Sequence, residues 1–144
     1  MSYPSIAMNG AEIAAFLAET RHAVMATTGG DGTAQLSPVW YLYRDGKFYV
    51  GVDPGSTKCR DIRRDPRVTI CVDGGYPDAR YVTIRGNAEI IEGRPAWCGE
   101  IEEAIARRYH ETPAEADRYM QEMSGQASVM LAIEPRKIFG RNYN

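Results

Sequence analysis

The residues best equipped for chemistry lie in one stretch, Gly55-Ser56-Thr57-Lys58-Cys59-Arg60-Asp61-Ile62-Arg63-Arg64-Asp65-Pro66-Arg67. It holds five basic side chains against two acids, Asp61 and Asp65, in a chain whose net charge is -2. The excess sits where the backbone turns into a helix, with Ser56 or Thr57 as the cap. A helix N-terminus offers unpaired N–H groups and the positive end of its dipole to an anion. Hydroxyls, main-chain donors and the Lys58 ammonium together suit a phosphate. Arg60 and Arg64 stand four apart on one helical face, able to reach a second anionic group or to pair with Asp61 and Asp65. A solvated, internally salt-bridged helix with an ordinary cap is the alternative reading of the same residues.

A second group is aromatic: Trp40, Tyr41, Tyr43, Phe48, Tyr49 and Tyr81. Successive strand residues face opposite sides, so Trp40 points away from Tyr41 and Tyr43, and one of those faces lies outside any barrel. Rings there line a groove for a planar cofactor, pack in a subunit interface, or cover helices at the edge.

Other chemistries lack their residues. There is no G-x-x-x-x-G-K-[ST] loop, no G-x-G-x-x-G, no G-x-S-x-G and no H-E-x-x-H, so neither a tight NAD(P)H site nor a hydrolase elbow is expected. His22 and His110 are the only histidines, too few for a His-rich metal centre, and both read as surface residues. Cys59, Cys71 and Cys98 form an odd set without C-x-x-C spacing, which speaks against a disulfide framework or structural zinc. No metal site is expected. With 17 Lys and Arg against 19 Asp and Glu, a nucleic-acid surface is not expected either. The longest apolar runs, residues 13–18 and 129–133, are far short of a membrane span, and the first 20 residues contain no Lys or Arg, unlike a secretory signal. A single cytoplasmic domain over residues 1–144 is the expectation.

The elements that must position these groups are short. Asn9 and Glu12 form a capping-box pair ahead of Ile13, Phe16 and Leu17, predicting a helix to about Thr20. β-type runs follow at residues 23–28 and 33–44, joined by Gly29-Gly30-Asp31-Gly32. Asp45-Gly46 then signals a type I′ turn into a strand at 47–52, so three strands should meander. The helix ending at Arg64 is closed by Asp65-Pro66 and followed by strands at 67–73 and 80–92. Helices at 95–109 and 113–123, each with Pro near its start, precede a strand at 128–133 that Glu134-Pro135 should stop. Six antiparallel strands with peripheral helices describe a mainly β (α+β) fold, a small closed or nearly closed barrel.

Five pieces in series carry a resemblance: Gln35-Leu36-Ser37-Pro38-Val39-Trp40-Tyr41, the Asp45-Gly46 hairpin, Gly55-Ser56-Thr57-Lys58, Arg63-Arg64-Asp65-Pro66-Arg67-Val68, and Tyr81-Val82-Thr83-Ile84-Arg85-Gly86-Asn87-Ala88-Glu89. In this order they resemble the pyridoxamine 5′-phosphate oxidase-like split-barrel flavoproteins, most closely the flavin/deazaflavin oxidoreductase B group. The resemblance implies a homodimeric six-stranded split barrel holding FMN or the deazaflavin coenzyme F(420) in the dimer groove. Carried over by position, Ser56, Thr57 and Lys58 match the phosphate-contacting stretch, Arg60 and Arg64 match basic residues near it, and Pro38, Val39 and Trp40 match the strand beneath the ring. Asp61 departs from the pattern, since relatives often have Asn there. The short C-terminus makes vitamin-B6 synthesis an unsuitable reading.

The implied activity is hydride transfer between the bound ring and a small apolar or conjugated acceptor, the protein supplying binding, orientation and solvent exclusion. No residue is assigned a catalytic role; the proton donor is a Tyr such as Tyr41 or Tyr43, or water. A non-catalytic carrier or sensor binding FMN, haem or the deazaflavin is the alternative, and a nucleic-acid-binding barrel suits the acidic charge balance less well.

Overall fold

The computed structural model describes residues 4–144. In chain order the elements are β1 (Ile6–Ala7), α1 (Gly10–Ala18), β2 (His22–Thr28), β3 (Ala34–Val39), β4 (Leu42–Arg44), β5 (Lys47–Val52), α2 (Thr57–Arg64), β6 (Arg67–Asp73), β7 (Arg80–Ile91), α3 (Ala96–Arg108), α4 (Pro113–Met123) and β8 (Val129–Asn142).

Local signals set most of these boundaries. Asn9 and Glu12 complete the capping box: the Asn9 side chain accepts from the Glu12 N–H at 2.8 Å, and the Asn9 N–H donates to the Glu12 carboxylate at 3.1 Å. Asp45 and Gly46 both take positive φ, 52° and 76°, as a type I′ turn requires, and lock the β4–β5 hairpin.

The strands are all antiparallel and run in the order β3-β2-β6-β7-β8-β5-β4, with β1 beside the far end of β8. β3 and β4 lie at opposite ends of that order, yet only Trp40 and Tyr41 separate them in the chain. The sheet must therefore curl until its two ends approach each other.

Among the described residues the strand count is eight, not the six expected. The predicted run at 33–44 breaks after Val39, because its first half pairs with β2 and its second half with β5. The three-strand meander is thus two separate hairpins, and Ile6–Ala7 adds one more short strand. Nor does Pro135 stop β8, which continues to Asn142. Pro135 lies opposite Gly86 at a register shift after Arg85, where the ladder is already interrupted and a missing N–H costs little.

Inside the curl, Phe48, Val50, Ile70, Val72, Val82, Ile84, Leu131 and Ile133 are buried among themselves, closed at one side by Phe16 and Leu17 of α1. A second cluster joins α3, through Cys98, Ile101 and Ile105, to Leu42 and Met130. Met130 and Leu131 thus serve different cores from opposite faces of one strand, which is why residues 129–133 read as a continuous apolar run rather than an alternating one. Among the described residues no helix is long and apolar enough to cross a membrane.

Candidate functional site

Helix α2 begins where the sequence places it. Ser56 is its N-cap, its side chain accepting from the Cys59 N–H at 3.4 Å. Lys58 does not point idly into solvent: its Nζ donates to Ser37 Oγ on β3 at 3.0 Å. Two distant segments of the resemblance, one on an edge strand and one at a helix start, are brought together by that bond. Nothing in the sequence marks Ser37 as a partner of Lys58, which lies 21 residues away along the chain.

Ion pairing sorts the basic residues of this segment. Arg63 is paired with Glu92 at 3.2 Å, Arg64 with Asp61 at 2.8 Å and Arg67 with Asp65 at 2.7 Å. Hydrogen bonds from Arg67 hold the Asp65 carboxyl down at about 2. Lys58 and Arg60 are left without a carboxylate partner among the described residues; an Arg60 guanidinium N–H donates to Thr57 Oγ1 at 3.2 Å. The uncompensated charge therefore lies at the helix start, with Ser56 and Thr57.

Asp61 is not beside that anion-seeking corner. It is buried under α2, accepting from Thr27 Oγ1 at 2.7 Å and from Arg64, whose guanidinium also reaches the Thr28 carbonyl at 3.2 Å. A carboxylate in place of an amide gives Arg64 a charged anchor, so both residues tie α2 to β2.

The strand residues Pro38, Val39 and Trp40 diverge. Pro38 is exposed on the outer side of edge strand β3, where a residue without an N–H is tolerated, and Val39 points into the core. Trp40, at the corner between β3 and β4, packs against the junction of α3 and α4. Its ring stacks on Tyr109 at 5.1 Å with 6° between planes, and meets His110 edge-on at 5.5 Å and Tyr119 at 5.3 Å. His110, expected to be a plain surface residue, is thus part of an aromatic box. The Tyr109 hydroxyl closes it by donating to the Arg21 carbonyl at 2.9 Å. The chain's own helices cover this outer-face aromatic residue, one of the three uses open at the level of sequence.

Trp40 also lines a cleft of about 690 Å³ between the end of β5 and helices α3 and α4. Val52, Tyr119, Met120 and Met123 are among its apolar walls, and Asp53, Arg94, Glu102 and Glu103 are its charged residues. Of the eight cofactor candidates, only Trp40 contributes to it. The α4 contributors could not be read from sequence, because their helical spacing says nothing about which strand they face.

The two tyrosines considered as proton donors have different surroundings. Tyr41 is fully buried, its hydroxyl donating to the Leu17 carbonyl at 3.0 Å, and burial pushes its pKa up to about 12. It is a core residue with its proton committed. Tyr43 is half-buried and stacks on Phe48 at 4.7 Å.

A sequence profile of the family described as pyridoxamine 5′-phosphate oxidase matches residues 10–142. Among solved structures, a conserved hypothetical protein from Mycobacterium tuberculosis is similar at a TM-score of 0.79 and 30% identity, covering 95% of this chain and 86% of that one. An FAD-binding protein from Mesorhizobium loti is similar at 0.71 and 19% identity, with 97% and 99% covered. A structure described as an F(420) reductase reaches 0.65 at 22% identity, with 86% and 93% covered. The last two likenesses are of fold.

Proposed function

Because the chain belongs to the pyridoxamine 5′-phosphate oxidase family, we propose that it is an oxidoreductase that binds a flavin-type cofactor, FMN or the deazaflavin F(420), and moves a hydride between it and a small organic acceptor. The observation that carries this reading is the Lys58–Ser37 bond, which sets an ammonium beside a hydroxyl at one corner while Arg63, Arg64 and Arg67 are neutralised and Arg60 is not.

The donor set fits a phosphate. Thr57 and Lys58 occupy the first helical positions, whose N–H groups have no partner inside the helix, the Ser37 hydroxyl meets the ammonium, and the Thr57 hydroxyl meets the Arg60 guanidinium. Lys58 and Arg60 would bear the charge, Ser56 would hold the helix start in place, and Arg64, paired with Asp61, would brace the helix against β2. Pro38 and Val39, the strand residues that follow Ser37, face opposite sides of β3, so a ring system lying against this strand would meet Pro38 and not Val39. When bound, that ring supplies the redox chemistry, giving up or taking a hydride with its two electrons, while a proton from solvent completes reduction of the acceptor. The protein's part is to bind, orient and exclude water.

Association as a homodimer belongs to the same proposal. Leu36 is 68% and Val24 40% exposed on the outer face of β3 and β2, an apolar pair unsuited to permanent contact with water.

The test is an absorbance spectrum after desalting, with FMN, deazaflavin or haem added beforehand, followed by anaerobic mixing of the loaded protein with acceptors. Retention of FMN or deazaflavin, then loss of the reduced-cofactor spectrum on adding an acceptor, is the expected result. Retention of haem alone, or of none of the three, overturns the reading.

A further inference from the structure

The cleft beneath α3 and α4 has walls and a charge balance of its own, and the geometry points to it as the binding site of a planar, apolar molecule that carries no negative charge. Naming that molecule as the hydride acceptor rests on the function proposed above; the binding itself does not.

Its size, about 690 Å³, is that of a small-molecule site. Trp40 remains 39% exposed although Tyr109 covers one face of its ring, and Tyr119 stands tilted beside it by 54°. Aromatic surface so arranged suits a flat ring in offset or edge-on contact. Opposite lie Met120 and Met123, the latter 45% exposed; unbranched thioether side chains adapt to an irregular outline.

Charge decides the rest. Three carboxylates line the cleft, those of Asp53, Glu102 and Glu103, against the single guanidinium of Arg94. That guanidinium is already engaged, donating to both oxygens of Glu102 at 3.0 and 2.9 Å and to the Ser128 carbonyl at 3.0 Å. Glu103 is itself paired with Arg107 at 3.0 Å, which leaves the Asp53 carboxylate as the surplus charge of the cleft. An entering anion would meet that carboxylate and, among the described lining residues, no unpaired cation, so it is disfavoured relative to uncharged and cationic rings.

Two short stretches of chain join the cleft to the anion corner: Trp40 follows Ser37 by three residues, and Asp53 lies on the segment leading into α2.

Gly99 makes the proposal testable. It lies on α3 in the cleft wall, and a Cβ built there meets nothing within 4 Å. Gly99→Leu would fill space in the cleft while improving helix propensity, so the fold should be retained. Calorimetric titration of the full chain, with and without saturating cofactor, would use 2-naphthalenemethanol, 2-naphthylmethylammonium and 2-naphthoate as probes. The alcohol and the ammonium should bind, and the carboxylate at least tenfold more weakly. Gly99→Leu should weaken binding of the alcohol at least tenfold with an unchanged or raised Tm, and Gly99→Ala should bind as the wild type does.

No binding of the alcohol at millimolar concentration, equal binding of the carboxylate, or wild-type affinity in Gly99→Leu overturns the proposal. Parallel titration with FMN and deazaflavin separates the two readings. Gly99-dependent probe binding without cofactor binding sinks the proposed function and leaves the cleft as a site. Cofactor binding without probe binding does the reverse.

Discussion

At the scale of single residues, Lys58 and Tyr41 show how partners decide what a side chain does. Lys58 faces Ser37 Oγ and no carboxylate among the described residues, so removing it should cost a ligand more than it costs the fold. A charge-assisted bond is worth roughly 1.5 to 3 kcal/mol, hence Lys58→Ala should weaken FMN or deazaflavin binding by about tenfold to a hundredfold. Cofactor titration beside a melt of the cofactor-free protein checks this; unchanged affinity would take Lys58 out of the site. Tyr41 is the opposite case, a hydroxyl that serves only the interior. Its pKa rises from 10.0 unfolded to about 12 folded, so the native state keeps the proton that the unfolded chain gives up. That stabilisation is fully present below pH 10 and is lost as pH climbs from 10 towards 12. Melts across that window should show a steep fall for the wild type and a flatter one for Tyr41→Phe. Equal slopes would mean that the phenol is not what titrates. The variant should also start about 1 to 3 kcal/mol less stable, because the Leu17 carbonyl loses its donor.

Among the elements, the paired strands β7 and β8 depend on one glycine. A Cβ on Gly86 would collide with the Glu134 carbonyl oxygen and crowd Pro135, both backbone groups that cannot swing aside. Gly86→Ala should therefore destabilise the protein by about 1 to 3 kcal/mol through overpacking, even though alanine is otherwise the better residue in an ordered strand. Denaturant unfolding would show a lower midpoint with the slope unchanged. A midpoint equal to the wild type's would mean that the irregularity at Arg85 and Gly86 relaxes freely. The same glycine lets Pro135 stand inside a long strand, so one local feature explains both a requirement and a tolerated exception.

For the whole molecule, the outer face of β3 and β2 carries exposed apolar side chains that a second copy would cover. Leu36 is two-thirds exposed and stands beside Ala26, with Val24 opposite Pro38 two pairs further along. If this face joins two copies, Leu36→Glu should raise the dimer dissociation constant at least tenfold and leave the monomer's stability within about 1 kcal/mol of the wild type, since two-thirds of the residue is exposed in its own chain. Sedimentation at micromolar concentration decides it: a monomeric wild type, or an unaffected variant, removes this face from the assembly. Aromatic residues had suggested self-association at the level of sequence. The structure adds an aliphatic pair to that argument, and Trp40, although 39% exposed, packs against Tyr109, His110 and Tyr119 of the same chain.

What the sequence determined by itself is whatever neighbours along the chain decide. The Asn9 capping box, the Asp45-Gly46 turn, the Ser56 cap of α2, the strands Lys47–Val52 and Arg67–Asp73 and the helix Pro113–Met123 all follow from contacts a few residues apart, and all lie where the residues place them. The cluster of hydroxyls and bases at residues 56–64 was legible for the same reason. Tertiary structure alone decided which of those bases stay unpaired, because Glu92, Ser37 and Thr27 reach the helix from other strands and loops. It alone broke the run at Trp40-Tyr41, since the two halves pair at opposite ends of a curling sheet. The cleft also arises only there, from Trp40, the end of β5 and two helices beginning more than 40 residues later, and no spacing along the chain encodes where such segments meet.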